Sequence, residues 1–435
     1  MRLGKVFWLG LVLGPSACNA DEGVSSAARE EKWKLEQLQK VREFSWPAAR
    51  QGRGECLGRL AFEMPAAHEW ALDDLGKVED GEPVVFVDNV PGDGAERLAY
   101  ENMEIWISRK AAAPDIDRYR FSLQLRDRGA GRESWEREVH EVERKIERAK
   151  ADGSESVVRM YQRDLEDVQA RLETATRRKR LEFDRPDVVA FDNGAGQIRV
   201  RYLMAGRIFT ILARYRALAQ EGEEHEKTVA SVRSLVRRLR SRAEGEVPDE
   251  PGVCLPYAFI PDDGNGDYQA HATFRYTDHP SVIYTIDTGL KRRRETPGTA
   301  VLPVAAPVRV YSYLPTVLAN FNGQGRQVKP LAPGGADIGP YRADQGGLSL
   351  NVAKPGEPDV FTYSIFTGAQ GLDGWQTAPF IGVEMRGHTK ARYPQLTENP
   401  PPMEDSRRRL DALLRSMHLR KTVPESAEFS ERLGR

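Results

Sequence analysis

Two short apolar runs with the same opening divide the chain. The first is Cys56-Leu57-Gly58-Arg59-Leu60-Ala61-Phe62-Glu63-Met64-Pro65, and the second is Val253-Cys254-Leu255-Pro256-Tyr257-Ala258-Phe259-Ile260. Each begins with a Cys-Leu pair, reads as a strand and is closed by a proline. Each leads into a series of β-type segments and ends in an Arg-rich amphipathic helix. The pattern predicts one such helix over 223–242, with Val229, Val232, Val236 and Leu239 on one face. It predicts the other over 404–420, with Leu410, Leu413, Leu414 and Met417. In both, carboxylates lead and arginines trail, which suits the helix macrodipole. A unit used twice predicts two related domains joined over 244–251.

Alternation of apolar and polar positions predicts half-buried strands at Met103–Ile107 and Tyr119–Leu123. Val188–Phe191 runs into Asp192-Asn193-Gly194, a hairpin signal. Gln197–Leu203 and Arg207–Tyr215 continue a meander around Ala205-Gly206. Between these strands, 132–180 is mostly Glu and Arg. Val139, Val142, Ile146 and Ala149, then Val158, Tyr161, Leu165, Val168, Leu172 and Ala175, mark a narrow seam on either side of Asp152-Gly153-Ser154. That predicts an antiparallel helical hairpin with most of its surface in water. In the second half, strands are expected at Ala272–Tyr276, Val282–Ile286, Val308–Tyr311, Val360–Phe366 and Phe380–Met385. Loops are expected at Gly323-Gln324-Gly325, Pro333-Gly334-Gly335 and Gly346-Gly347.

The fold class that follows is α+β, with two related domains. Each is expected to hold an antiparallel sheet and a C-terminal helix, and the hairpin is inserted in the first. The expected divisions are a signal peptide at 1–20, a tether with a short helix at 21–51 and a first domain at 52–243. A linker at 244–251, a second domain at 252–421 and a tail at 422–435 follow. The short helix rests on Leu35, Leu38 and Val41 recurring at steps of three.

Composition refines this picture in two places. A length of 435 residues suits two cores, and 40% apolar content suits a folded protein. The net charge of −1 gives no global electrostatic case for nucleic acid. Lys291-Arg292-Arg293-Arg294, next to Thr296-Pro297-Gly298, reads as a solvated loop. At the N-terminus, Arg2 and Lys5 precede the apolar stretch Val6–Leu13, too short to span a bilayer. Pro15-Ser16-Ala17-Cys18 then reads as a lipoprotein signal with Cys18 lipidated, although Pro15 stands where that pattern prefers Leu. The alternative is ordinary cleavage near Cys18-Asn19-Ala20, releasing a soluble periplasmic protein. Lipidation with Asn19 next to the cysteine points to an outer-membrane tether. Export leaves Cys56 and Cys254 as an even pair in an oxidising compartment, so a disulfide between them is expected, the alternative being two buried thiols, one in each core.

No assembled catalytic constellation appears. The chain has no Gly-x-Ser-x-Gly elbow, Walker loop or His-Glu-x-x-His pair, and His140-Glu141 lacks its second histidine. Gly194-Ala195-Gly196 lies between strands, without a helix N-terminus to hold phosphate. Asp262-Asp263-Gly264-Asn265-Gly266-Asp267 has the wrong spacing for a calcium loop and reads as a Gly-rich turn. His271, Asp278 and His279 lack a further ligand, and the seven histidines are scattered singly. The expectation is a binding protein with no catalytic, metal or cofactor residues.

Three boxes carry a family resemblance. They are Cys56–Arg59 running into Phe62-Glu63-Met64-Pro65; Cys254-Leu255 with Phe259-Ile260 and His279-Pro280-Ser281-Val282; and the closing run Arg409–Met417. In this order, over about 56–420, the chain resembles the type VI secretion immunity proteins that neutralise lipase effectors, the Tle cognate immunity family. The resemblance implies a periplasmic, non-catalytic protein whose two domains clamp a lipase or phospholipase effector and keep substrate from it. It supplies no contact residues. The competing readings are an outer-membrane lipoprotein serving assembly or solute capture, and an exported hydrolase with an unfamiliar site.

Overall fold

The computed structural model describes residues 53–73, 97–111, 130–177, 179–193, 196–216, 222–289, 328–353, 359–369 and 379–420, with a few isolated positions besides. Cys18 and the expected strands at Tyr119–Leu123 and Val308–Tyr311 lie outside the described residues, as does Gly323-Gln324-Gly325. So does nearly all of 21–51, and the tail from 422 on.

The first Cys-Leu run forms a hairpin of β1 (Arg53–Leu57) and β2 (Leu60–Met64), followed by β3 (His68–Trp70). Then come β4 (Arg97–Tyr100) and β5 (Met103–Ile107). The charged stretch forms α1 (Ala130–Ala151) and α2 (Glu155–Arg177). β6 (Lys179–Leu181), β7 (Val188–Asp192), β8 (Gln197–Met204) and β9 (Arg207–Arg214) make the meander. Its tight turn sets Ala205 at φ 51° and Gly206 at φ 74°, the conformation that two-residue hairpin loops need. α3 (Glu223–Arg238) and the two-residue β10 (Arg240–Ser241) follow.

The second run forms the matching hairpin, β11 (Gly252–Leu255) and β12 (Ala258–Pro261). It continues through β13 (Tyr268–Tyr276), β14 (Val282–Gly289), β15 (Val328–Ile338), β16 (Tyr341–Asn351), β17 (Phe361–Ala369) and β18 (Phe380–Gly387). α4 (Met403–Ser416) and the two-residue β19 (His418–Leu419) close the described chain.

One sheet per half was expected, whereas the halves share one. Its strands run β15-β16-β17-β18-β14-β13-β4-β5-β9-β8-β7-β6, with β3 also on β13. The halves meet where Ala99 pairs with Gln269 and Leu98 with Ala270, antiparallel like the other ladders. Both edges of β13 are satisfied this way, and Tyr268, Ala270, Ala272, Phe274 and Tyr276 point into a core common to both halves. Alternation along a strand predicts its buried face but not its neighbour.

Two further expectations are corrected. Pro333-Gly334-Gly335 and Gly346-Gly347 lie inside strands β15 and β16, not in loops. The first group sits at a register shift between Leu331 and Gly334 on an edge strand, where proline and a bulge are tolerated. At Gly347 a Cβ would lie 2.5 Å from the Ser364 carbonyl oxygen, so the neighbouring strand demands glycine. The closing helices also stop sooner than expected, at Arg238 and Ser416. Beyond each, the chain turns extended to form β10 or β19. Leu239 and Met417 remain buried, at 1% and 0% exposure, but as the residues that cap the helices rather than as part of them.

Candidate functional site

The small strands after the helices cross over. β10, from the first half, pairs with β12 of the second, Arg240 opposite Phe259 and Ser241 opposite Ala258. β19, from the second half, pairs with β2 of the first, His418 opposite Ala61 and Leu419 opposite Leu60. The two events are equivalent in the repeat: Arg242 N–H donates to the Tyr257 carbonyl at 3.1 Å, and Arg420 N–H to the Arg59 carbonyl at 3.0 Å. The hairpins themselves touch at Gly58 and Cys254, which exchange two backbone hydrogen bonds of 2.8 Å. Gly58 allows this approach with φ at 60°; a Cβ there would meet the Tyr268 ring at 2.4 Å.

Into this centre the structure brings the two cysteines. Cys56 and Cys254 are joined by a disulfide with their Cα atoms 5.7 Å apart, packed among Ala61, Phe259 and Val247. Charged side chains surround it. Arg59, with no exposed surface, makes bidentate bonds of 3.1 and 2.9 Å to Asp262 and a third, 2.8 Å, to the Gly266 carbonyl. Arg242 pairs with Glu55 and donates to the carbonyls of Leu255, Glu246 and Cys56. Burial alone would push the Glu55 carboxyl up, but Arg242, and then His68 at 3.3 Å, hold it below the usual carboxylate range. Arg420 donates to the carbonyls of Gly252, Pro248 and Glu250 at 2.8, 2.7 and 2.5 Å. Burial, with the Arg59 and Arg242 charges nearby, lowers its pKa to about 10. The Arg240 and Arg420 guanidiniums each lie 4.9 Å from the Phe259 ring centre. These enclosed charges, two of them paired with carboxylates and Arg420 with carbonyls, join the halves.

The exposed feature is the arm formed by α1 and α2. Val139, Val142, Ile146 and Val168 form its own small core, separate from the main one. The remaining faces carry ion pairs one turn apart, such as Lys145 with Glu141 and Arg171 with Asp167. Met160, near the turn at Gly153, is 49% exposed. Twenty-two residues of helix make an arm about 33 Å long. A shallow cavity of about 380 Å³ opens elsewhere, over the start of α4 between Pro65, His279, Pro401 and Arg408.

The remaining candidate residues are spread apart. His140 faces Glu143 on the arm. His271 stands 3.9 Å from Asp287, and His279 3.9 Å from Glu398. Asp278, between them in sequence, is held by both terminal nitrogens of Arg409 at 2.7 and 2.8 Å. Among the described residues no group of three or more His, Cys, Asp or Glu is placed to hold a metal. Within the Gly-rich turn expected at 262–267, the Asp262 carboxylate is the buried partner of Arg59. The missed members of the centre are Glu55, Arg59, Arg242 and Arg420. The usable signal was the repeat itself, which sets Arg242 and Arg420 at equal distances beyond their helices.

The class defined by these features is an α+β protein whose two sequence halves are interlocked. Residues 246–422 match the family model described as Tle cognate immunity protein 4 C-terminal domain, which bears out the resemblance read from the three boxes. Among curated proteins none matches. Among solved structures, one similar chain is the immunity protein TplEi of T6SS from Pseudomonas aeruginosa complexed with "L" peptide. It is 15% identical with a TM-score of 0.47, covering 86% of this chain and 99% of that one. Another belongs to the Tle4-Tli4 complex, with 14% identity, a TM-score of 0.47 and coverage of 86% and 99%.

Proposed function

We propose that the chain is an immunity protein that binds a type VI secreted lipase or phospholipase effector in the periplasm and neutralises it by stoichiometric occlusion, without turnover. The observation that carries this reading is the match of 246–422 to the Tle immunity C-terminal domain. The N-terminal leader supports the location, with lipidation of Cys18 tethering the protein to the outer membrane. The two repeat units act as the jaws of a clamp, which the interlocked centre keeps at a fixed spacing. A rigid body that spends little conformational entropy on association retains more of its contact energy as affinity.

The test is a titration of the activity of the cognate lipolytic effector. With the mature protein added, inhibition should saturate near one to one and persist after His271→Ala and His279→Ala. Undiminished lipase activity at every ratio, or protection by substoichiometric amounts, would overturn the reading.

A further inference from the structure

The contacts joining the two halves are of a kind that a second copy of the chain would supply equally well. β10 completes β12, β19 completes β2, β4 pairs with β13, Arg59 grips Asp262, and Cys56 bonds to Cys254. In each, one partner precedes residue 244 and the other follows 251. Whether they form within one molecule is decided by the linker 244–251 alone. Such reciprocal exchange through a short connection is the geometry from which swapped dimers arise.

That linker is held folded by two arginines. Ala243 and Glu246 bond to each other across a tight turn. Arg242 reaches from β10 to the Glu246 carbonyl. From the far end of the chain, Arg420 binds the carbonyls of Pro248, Glu250 and Gly252. Both side chains are buried, and β19, which carries Arg420 into place, is held by two residue pairs. Without Arg420 the carbonyls of the buried Pro248 and Gly252, and that of the exposed Glu250, lose a charged donor, and extending the linker lets water satisfy them instead.

We propose that the pairing of the halves is exchangeable with a second copy of this chain, and that Arg242 and Arg420 confine it to one molecule by clasping residues 244–251. The experiment compares the full chain carrying Cys18→Ser with the same chain carrying Arg420→Gln as well. Each is unfolded in reductant and refolded over a range of concentrations with oxidised glutathione, which takes up the two electrons and two protons as the thiols join. Light scattering gives the size, and mixed isotope labelling shows whether Cys56 and Cys254 in each bond come from one chain or two. The expected result is monomer with the intrachain bond for the parent. The Arg420→Gln chain should give at least tenfold more dimer, rising with concentration and carrying Cys56–Cys254 bonds between chains. A monomeric variant with the parent's intrachain bond, or a dimer whose disulfides stay within each chain, overturns the proposal.

If Arg420→Gln does not refold, deletion of 244–251 decides. It leaves two residues between Ser241 and Gly252, a reach of about 11 Å. The ends to be joined lie on opposite sides of β12 and three residues apart along it, about 14 Å. The deleted chain should form a soluble dimer with interchain Cys56–Cys254 bonds. A folded monomer, or failure to form that dimer, overturns the proposal.

Discussion

Arg59 lies at zero exposure, where Asp262 and the Gly266 carbonyl take the place of water at its two terminal nitrogens. Removing one side of such a pair costs more than removing both. Arg59→Met should therefore destabilise the protein by about 3–5 kcal/mol, and adding Asp262→Asn should recover part of that, as urea midpoints would show. A variant within 1 kcal/mol of the parent would mean water reaches Asp262. His388 supplies a different test. Burial, with Arg392 and Arg386 nearby, lowers its pKa to about 4, and its ring packs edge-on against Tyr393. Between pH 6.5 and 4 the unfolded chain binds a proton here that the folded chain refuses. Stability is thus complete above 6.5 and falls by up to about 3 kcal/mol as the pH approaches 4. Glu55, held below the usual carboxylate range, begins to add its own loss as the pH falls to about 4.5, the value it has in the unfolded chain. His388→Phe should flatten the limb between 6.5 and 4, and an unchanged pH profile would rule His388 out as its source. The sequence placed Arg59 in a short box but gave no sign of its burial, because its partner Asp262 lies about two hundred residues away.

At the scale of elements, periodicity was informative wherever one face of an element meets the core. Met103–Ile107 has the same bounds as β5, and the seam residues Val139, Val142, Ile146, Val158, Tyr161, Leu165, Val168 and Leu172 pack together in α1 and α2. It misled where a neighbour set the conformation. The glycines of β16 look like a loop until Ser364 is seen against Gly347, and 240–242 looks like a last helical turn until β12 claims it. The arm makes the sharpest prediction here. Its apolar cluster is its own, and long ion-paired faces of this kind contribute only a few tenths of a kcal/mol per pair. Deleting 132–178 should leave the near-ultraviolet circular dichroism and protease resistance of the rest intact. Global collapse would show that the arm supports the sheet. A folded deletion that no longer binds the effector would place the arm within the binding surface.

At the scale of the whole molecule, the repeated Cys-Leu boxes suggested two units with a sheet each, whereas the sequence halves share a sheet and trade their last strands. Short pairings of two residues leave no pattern in a sequence, and nothing in a strand's alternation names its neighbour. The same interlocking fixes what the disulfide does. It spans a separation of 198 residues, and closing so long a loop restricts the unfolded chain by about 5 kcal/mol in the chain-entropy model. The native halves, however, are also joined by β4 on β13, by both crossed strands and by the buried arginines, and these contacts do not need the bond. Replacing both cysteines by Ala, in cells or in reductant, should therefore lower stability by about 2–5 kcal/mol while leaving the folded structure and one-to-one effector binding in place. Urea unfolding monitored with a binding titration separates the two effects. Loss of native circular dichroism without denaturant would mean that the covalent link, rather than the strand exchange, holds the halves together. A midpoint equal to the parent's would mean that the unfolded chain already keeps Cys56 and Cys254 close.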